Sequence, residues 1–268
     1  MRTLAPALLA MGALAGCTAA ATPPAARARP TIVSLNPCTD AILAEVADPA
    51  QILAISHYSH QPRATSMDLV AARRFRATGG TAEEVAALGP DVVVGSSFMP
   101  PATRAALARM GMRVETMGIA ATVDDSVAQV RTLARIAGHP ARGEALVARI
   151  EASLTPPAGP VVEAALWQPG GIVPGKATLI SDLLRRAGFA NWPDRRGMAQ
   201  GDYLPLERIV TDPPRVLLVA GDEAGQRHRL LTKVSGMATA RFDPALTYCG
   251  GPSIIRAMAR LRSVKAAL

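Results

Sequence analysis

Apolar residues along this chain gather into short runs, separated by stretches with helical spacing. Residues 31–35, 51–56, 91–95 and 112–117 read as strands. Mostly apolar runs of that length suit strands buried on both faces of a sheet. Between them, 37–46, 66–74, 82–88 and 101–110 have the spacing of helices. Strand and helix alternating in this rhythm predict a parallel, doubly wound sheet. A longer amphipathic stretch, 123–137, breaks at Gly138-His139-Pro140, and 141–154 continues helically behind a proline placed where helices begin. Pro156-Pro157-Ala158-Gly159-Pro160 ends it. The second half resumes with strands at 161–167 and 215–220, and with helices at 177–187, 206–210, 226–234 and 253–261.

One unit of this pattern occurs twice. A short amphipathic helix opens near Glu83, a proline follows seven residues later, and an apolar run begins at once; Glu207, Pro214 and the run after it repeat the arrangement. Proline stops the helix, and the run then enters the sheet. A unit recurring about 120 residues apart predicts two similar α/β lobes in one chain. The expected boundaries are a first lobe at 31–121, a helical region at 122–155 and a second lobe at 156–268. Helices of fifteen or so residues between the lobes act as a rigid spacer, not a floppy hinge.

The start of the chain reads as an export signal. Met1-Arg2-Thr3 supplies a positive end, and residues 4–14 are apolar but too few to span a bilayer. Leu14-Ala15-Gly16-Cys17 has the pattern of a bacterial lipoprotein signal, so 1–17 is expected to end at a lipidated Cys17. Cleavage after Ala19 or Ala21, with Cys17 discarded, is the alternative. Residues 18–30, rich in Ala and Pro, then form a flexible tether. The expectation is a soluble body held at a membrane surface in an exported, oxidising compartment. There Cys38 and Cys249 can form a disulfide, stay as buried thiols or share a soft metal.

Composition narrows the partners. Hydrophobic residues make up 49% of the chain, ample for a core, and the formal charge is +8. The excess is scattered arginine with small clusters such as Arg227-His228-Arg229. With aromatics at only 3% and no nucleic-acid module, no nucleic-acid partner is expected.

Candidate chemistry sits where strands end, because ligands of open parallel sheets bind beyond the carboxyl ends of the strands. Asn36 follows the first strand, His57 and Tyr58 the second, and Ser97 and Phe98 a third. Trp167, Gln168, Asp222 and Tyr248 occupy similar places in the second half, and Tyr203 lies in a loop. In a chain with four Phe, three Tyr and two Trp, that bias predicts an aromatic-lined cleft between the lobes. His57 and His60 lie in one loop without an evident third ligand. One of them could still serve as an axial ligand to a metal already held in an organic chelate. No G-x-G-x-x-G, Walker, G-x-S-x-G or H-E-x-x-H pattern is present. A triad of Ser96, His57 and Asp222 can be written only on paper, so no enzyme and no catalytic residue is expected.

Several segments together resemble the class III periplasmic substrate-binding proteins of ABC importers, which carry cobalamin, ferric siderophores or haem. They are Ile32-Val33-Ser34-Leu35-Asn36-Pro37 with Thr39-Asp40, Ile55-Ser56-His57-Tyr58-Ser59-His60-Gln61-Pro62, residues 81–94, Pro174-Gly175-Lys176-Ala177-Thr178-Leu179-Ile180, and residues 206–218. The resemblance spans about 31–265 and is closest to cobalamin-binding members. It implies two Rossmann-like lobes with parallel sheets bridged by one rigid α-helix, matched by 141–154. It also implies a monomeric, periplasmic, membrane-anchored carrier that holds cobalamin or a ferric siderophore and needs no cofactor of its own. Its partners would be an importer permease dimer and its ATPase. By position, Tyr58 matches a residue packing on the corrin ring, and Glu83 and Glu207 match one docking carboxylate per lobe. A carrier of bare Zn or Mn ions and an exported α/β hydrolase are the rival readings.

Overall fold

The computed structural model describes residues 29–155 and 158–268. The signal segment, Cys17 and nearly all of the tether lie outside the described residues. Strand β1 (Ile32–Ser34) ends before Asn36, whose side-chain oxygen accepts the Cys38 N–H at 2.8 Å and caps α1 (Pro37–Val46). Next come β2 (Ile52–Ser56), the short helix α2 (Leu69–Ala72) and an edge strand, β3 (Ala77–Thr78). Helix α3 (Ala82–Leu88) starts at a Thr81 cap and stops at Gly89, whose φ of 59° is a left-handed conformation that favours glycine. Strand β4 (Val92–Ser96), α4 (Pro101–Arg109) and β5 (Arg113–Met117) complete the first sheet. Its strands are parallel in the order β3-β2-β1-β4-β5.

Helices α5 (Val123–Ile136) and α6 (Pro140–Ser153) follow, joined by three residues and packed against each other. The second half contains β6 (Val162–Trp167), β7 (Ile172–Val173), α7 (Leu179–Arg186), β8 (Phe189–Asn191) and α8 (Trp192–Arg195). It continues through β9 (Asp202–Tyr203), α9 (Leu206–Thr211), β10 (Val216–Val219), β11 (Ala238–Arg241) and α10 (Ser253–Ala266). Four of these strands form a second parallel sheet, ordered β11-β10-β6-β8, while β7 and β9 pair antiparallel beside it.

The repeat in the sequence has a spatial counterpart. Read from β2, the first sheet runs β2-β1-β4-β5; read from β8, the second runs β8-β6-β10-β11. The repeated segments are α3–β4 and α9–β10, which occupy matching places in the two sheets.

Alternation along the central strands builds the core. Val92, Val94, Ala164, Leu166, Val216 and Leu218 point into one large apolar cluster shared by both lobes, together with Leu133, Leu146 and Ile150 of the α5–α6 pair. Their neighbours Val93, Ala165 and Leu217 face separate outer clusters. Each sheet is therefore covered on both faces, as parallel sheets require. The helix expected as the bridge, α6, contacts α1 of the first lobe and α10 of the second, and α5 packs beside it, meeting α1 and α7.

Two expected helices are shortened. The segment 66–74 is helical only at α2. Residues 226–234 form two 3-10 turns, at Gly225–Arg227 and Arg229–Thr232, with extended backbone at His228 between them. Gln226 accounts for the break. It is buried, its amide donates to the Trp167 carbonyl at 3.0 Å and its oxygen accepts the Glu223 N–H at 3.1 Å, so it is drawn inward and out of helical register.

Candidate functional site

The carboxyl ends of strands from both sheets converge on a cleft between the lobes, of about 320 Å³. The turn after β1 brings Asn36 and the start of α1 brings Cys38, the loop after β4 brings Phe98, and the loop after β5 brings Ile119. From the second lobe come Gln168 after β6, the start of α7 at Thr178 to Ile180, Gln200, and the segment Thr247 to Gly250. Every side chain lining the cleft is uncharged. Phe98, Ile119 and Tyr248 leave 73%, 58% and 43% of their surfaces exposed at its rim. Side-chain amides of Asn36, Gln129, Gln168 and Gln200 supply the polar contacts. The Asn36 oxygen is engaged by the α1 cap, so its N–H groups are what remain for the cleft.

Of the residues expected from sequence, Asn36, Phe98, Gln168 and Tyr248 line this cleft. Ser97 sits exposed beside Phe98, its N–H held by the Met117 carbonyl. Tyr58 is half exposed on the loop after β2, with its ring 4.0 Å from that of His57, and neither is part of the cleft lining. Tyr203 and Asp222 are exposed and also stand outside the lining.

Trp167 departs from expectation. It is 4% exposed, packs in the outer cluster of the second lobe and donates its indole N–H to the Leu204 carbonyl at 2.9 Å. The reason is strand parity: Trp167 is still a strand residue, paired with Val219, and points the way Ala165 does. Gln168 is the first residue beyond the strand.

His57 and His60 are each tied to a backbone carbonyl, His57 to Thr78 at 3.3 Å and His60 to Ala72 at 3.1 Å. Among the described residues no cluster of three or more His, Cys, Asp or Glu could hold a metal ion. Ser96, His57 and Asp222 share no hydrogen bond, and the Ser96 hydroxyl accepts the Phe98 N–H instead. The two cysteines, left open between three states by the sequence, form a disulfide across the lobes, with Cα atoms 5.1 Å apart.

Asp40 lies on the first turn of α1 and is fully buried. One carboxyl oxygen accepts the Ser56 N–H at 3.0 Å and the Ser59 hydroxyl at 2.6 Å, fastening the Tyr58 loop to α1. Among the described residues the other oxygen has no hydrogen-bond partner. Burial pushes this carboxyl up to about 8, against the lowering effect of the nearby Ser34 hydroxyl and of the hydrogen bonds from Ser59 and Ser56. The unfolded chain ionises Asp40 near its ordinary value of 3.8, while the folded chain keeps it protonated until about 8. Asp40 therefore makes stability fall as pH rises through that interval. Asp40→Asn should flatten the slope, as read from urea midpoints at several pH values across the interval; parallel slopes for both proteins would remove the assignment.

Glu83 and Glu207 each occupy the second position of a helix, α3 and α9, ahead of matching strands. Both are exposed, and neither carboxylate has a hydrogen-bond or ion-pair partner among the described residues. The adjacent Glu84 is different, since its carboxylate accepts from Thr78, Gly79 and Gly80.

Residues 32–234 match the family model described as periplasmic binding protein. No curated protein matches the chain. Among solved structures, a periplasmic haem-binding protein from Roseiflexus sp. RS-1 is 20% identical, with a TM-score of 0.66 over 88% of this chain and 97% of that one. The periplasmic haem-binding protein of Vibrio cholerae is 16% identical, TM-score 0.70, over 88% and 98%. The periplasmic vitamin B12-binding protein of Vibrio cholerae is 14% identical, TM-score 0.68, over 89% and 98%. At these identities the likeness is one of fold.

Proposed function

This chain belongs to the periplasmic binding protein family, and we propose that it is the substrate-binding component of an ABC importer, holding a neutral cobalt corrinoid between its lobes. The observation that carries this reading is the uncharged cleft with aromatic rims from both lobes. A flat metal macrocycle offers two apolar faces to Phe98 and Tyr248. A corrin ring carries carboxamides at its edge, which pair with the side-chain amides of Asn36, Gln129, Gln168 and Gln200. Haem and many ferric siderophores bring carboxylates or other anionic groups, and burying these without a cationic partner is costly. A bare Zn or Mn ion would need several converging anionic or imidazole ligands, which the lining lacks. A ferric siderophore is the second choice.

The cleft volume, about 320 Å³, is at the low end for small-molecule sites. A corrinoid would therefore be gripped along one edge, its remainder lying between the rims. The carrier would act as a monomer in the periplasm, tethered by lipid on Cys17, and deliver its load to a permease dimer driven by an ATPase.

Equilibrium dialysis tests the ligand. Cyanocobalamin should bind at least about tenfold tighter than haemin or a ferric catecholate. Tight zinc binding without any chelator, or preference for the anionic ligands, would reverse the assignment.

A further inference from the structure

The disulfide stands at an unusual place. Cys38 is the second residue of α1 in one lobe, and Cys249 lies just before α10 in the other, 211 residues away in sequence. Both line the cleft. Cys249 directly follows Tyr248, the aromatic residue that the second lobe places in the cleft wall, and the Tyr248 carbonyl oxygen lies 3.5 Å from Cys38 Sγ. The Tyr248 hydroxyl has no hydrogen-bond partner among the described residues, and the residue is 43% exposed. Within its own lobe the segment is held by the Ser253 hydroxyl, which donates to the Cys249 carbonyl at 2.6 Å and the Gly250 carbonyl at 3.0 Å, and Gly251 then donates its N–H to the Ser126 hydroxyl of α5 at 2.7 Å. The disulfide is thus the tie beside the ring that reaches across to the first lobe.

We propose that the Cys38–Cys249 disulfide positions Tyr248 for ligand capture, so that affinity depends on thiol redox state; this rests on the cleft being the ligand site. With the bond intact, the ring is held in place before a ligand arrives, and little ordering remains to be done on binding. A dithiol reductant would release it. One thiolate of the dithiol attacks one cysteine sulfur, the S–S bond breaks, and the other cysteine leaves as a thiolate that takes up a proton. The second thiolate of the dithiol then displaces the first cysteine, giving two cysteine thiols and one oxidised dithiol. Residues 247–251 lose their covalent anchor to α1, and Tyr248 must be ordered by the ligand itself. Cys38 is part-exposed in the cleft wall, which gives a small reductant access.

Hydrogen–deuterium exchange and cyanocobalamin binding test the idea together. Reduction with dithiothreitol, and separately Cys38→Ser with Cys249→Ser, should raise exchange at 247–251 while α6 and the β4 and β10 strands stay protected. The serine pair should weaken cyanocobalamin binding about tenfold. In a Tyr248→Ala background the same pair should change binding by less than about twofold, because the disulfide acts through that ring. Equal losses in both backgrounds, unchanged exchange at 247–251, or loss of protection throughout the chain would each overturn the positioning role. Failure of the unaltered protein to bind cyanocobalamin would overturn the ligand reading, and exchange at 247–251 would still decide whether the disulfide holds this segment.

Discussion

Replacing Phe98 and Tyr248 together with alanine should weaken cyanocobalamin binding roughly 100-fold. The rings come from opposite lobes, and the two residues are 73% and 43% exposed, so each has apolar surface to lose on binding. Covering most of one such face is worth about 1.5 kcal/mol, or roughly tenfold in affinity. Because the two rings belong to different loops and share no contact, their effects should add. Each single variant should therefore lose about tenfold and the pair about the product of the two. Neither ring packs in a core cluster, so far-ultraviolet circular dichroism and the melting temperature should stay close to those of the parent. Dialysis showing the double variant within twofold of the parent would show that ligand does not lie between these rims. A loss confined to Phe98→Ala would put the ligand on the first lobe alone.

That test concerns residues the sequence could nominate, and the reason it could is local. Asn36, Phe98 and Gln168 fall just past the ends of apolar runs, and the rule that ligands sit beyond strand ends places them without any knowledge of packing. Ile119 answers to the same rule, two residues beyond β5, but an aliphatic side chain there carries no chemical signal to mark it in the sequence. The bounds of α1 and α3 were equally open to local reasoning, since a capping side chain or a proline opens each and α3 closes on a left-handed glycine.

What stayed hidden depends on contacts between distant segments. Whether Cys38 meets Cys249 turns on how the lobes are set, and that follows from the common core around α5 and α6. Gln129 on α5 and Thr178 to Ile180 at the start of α7 reach the cleft only because those helices pack where they do. Trp167 shows the opposite failure. The strand expected at 161–167 ends where β6 ends, but Trp167 is its last residue and alternation turns that side chain onto the buried face, so the open end begins only at Gln168. The segment 226–234 has helical composition, yet burying Gln226 against the Trp167 carbonyl outweighs that preference.

The largest effect is expected from the pair that touches no ligand. Glu83→Ala with Glu207→Ala should abolish uptake in cells while cyanocobalamin affinity in vitro stays unchanged. The two carboxylates sit at matching helix starts in sheets of matching order, so they present the same group twice, once per lobe. A permease made of two like subunits can meet such a carrier with one basic pocket on each. Hydrogen bonds to a charged group contribute about 2 kcal/mol, so losing two would weaken docking about a thousandfold, and losing one roughly thirtyfold. Both side chains lie on exposed helix surface without partners, which leaves the fold and the cleft with nothing to lose. Glu151→Ala, another exposed carboxylate but on α6, provides the control and should transport normally. Normal uptake by the double variant would separate the repeat from docking, leaving its symmetry as a record of duplication alone.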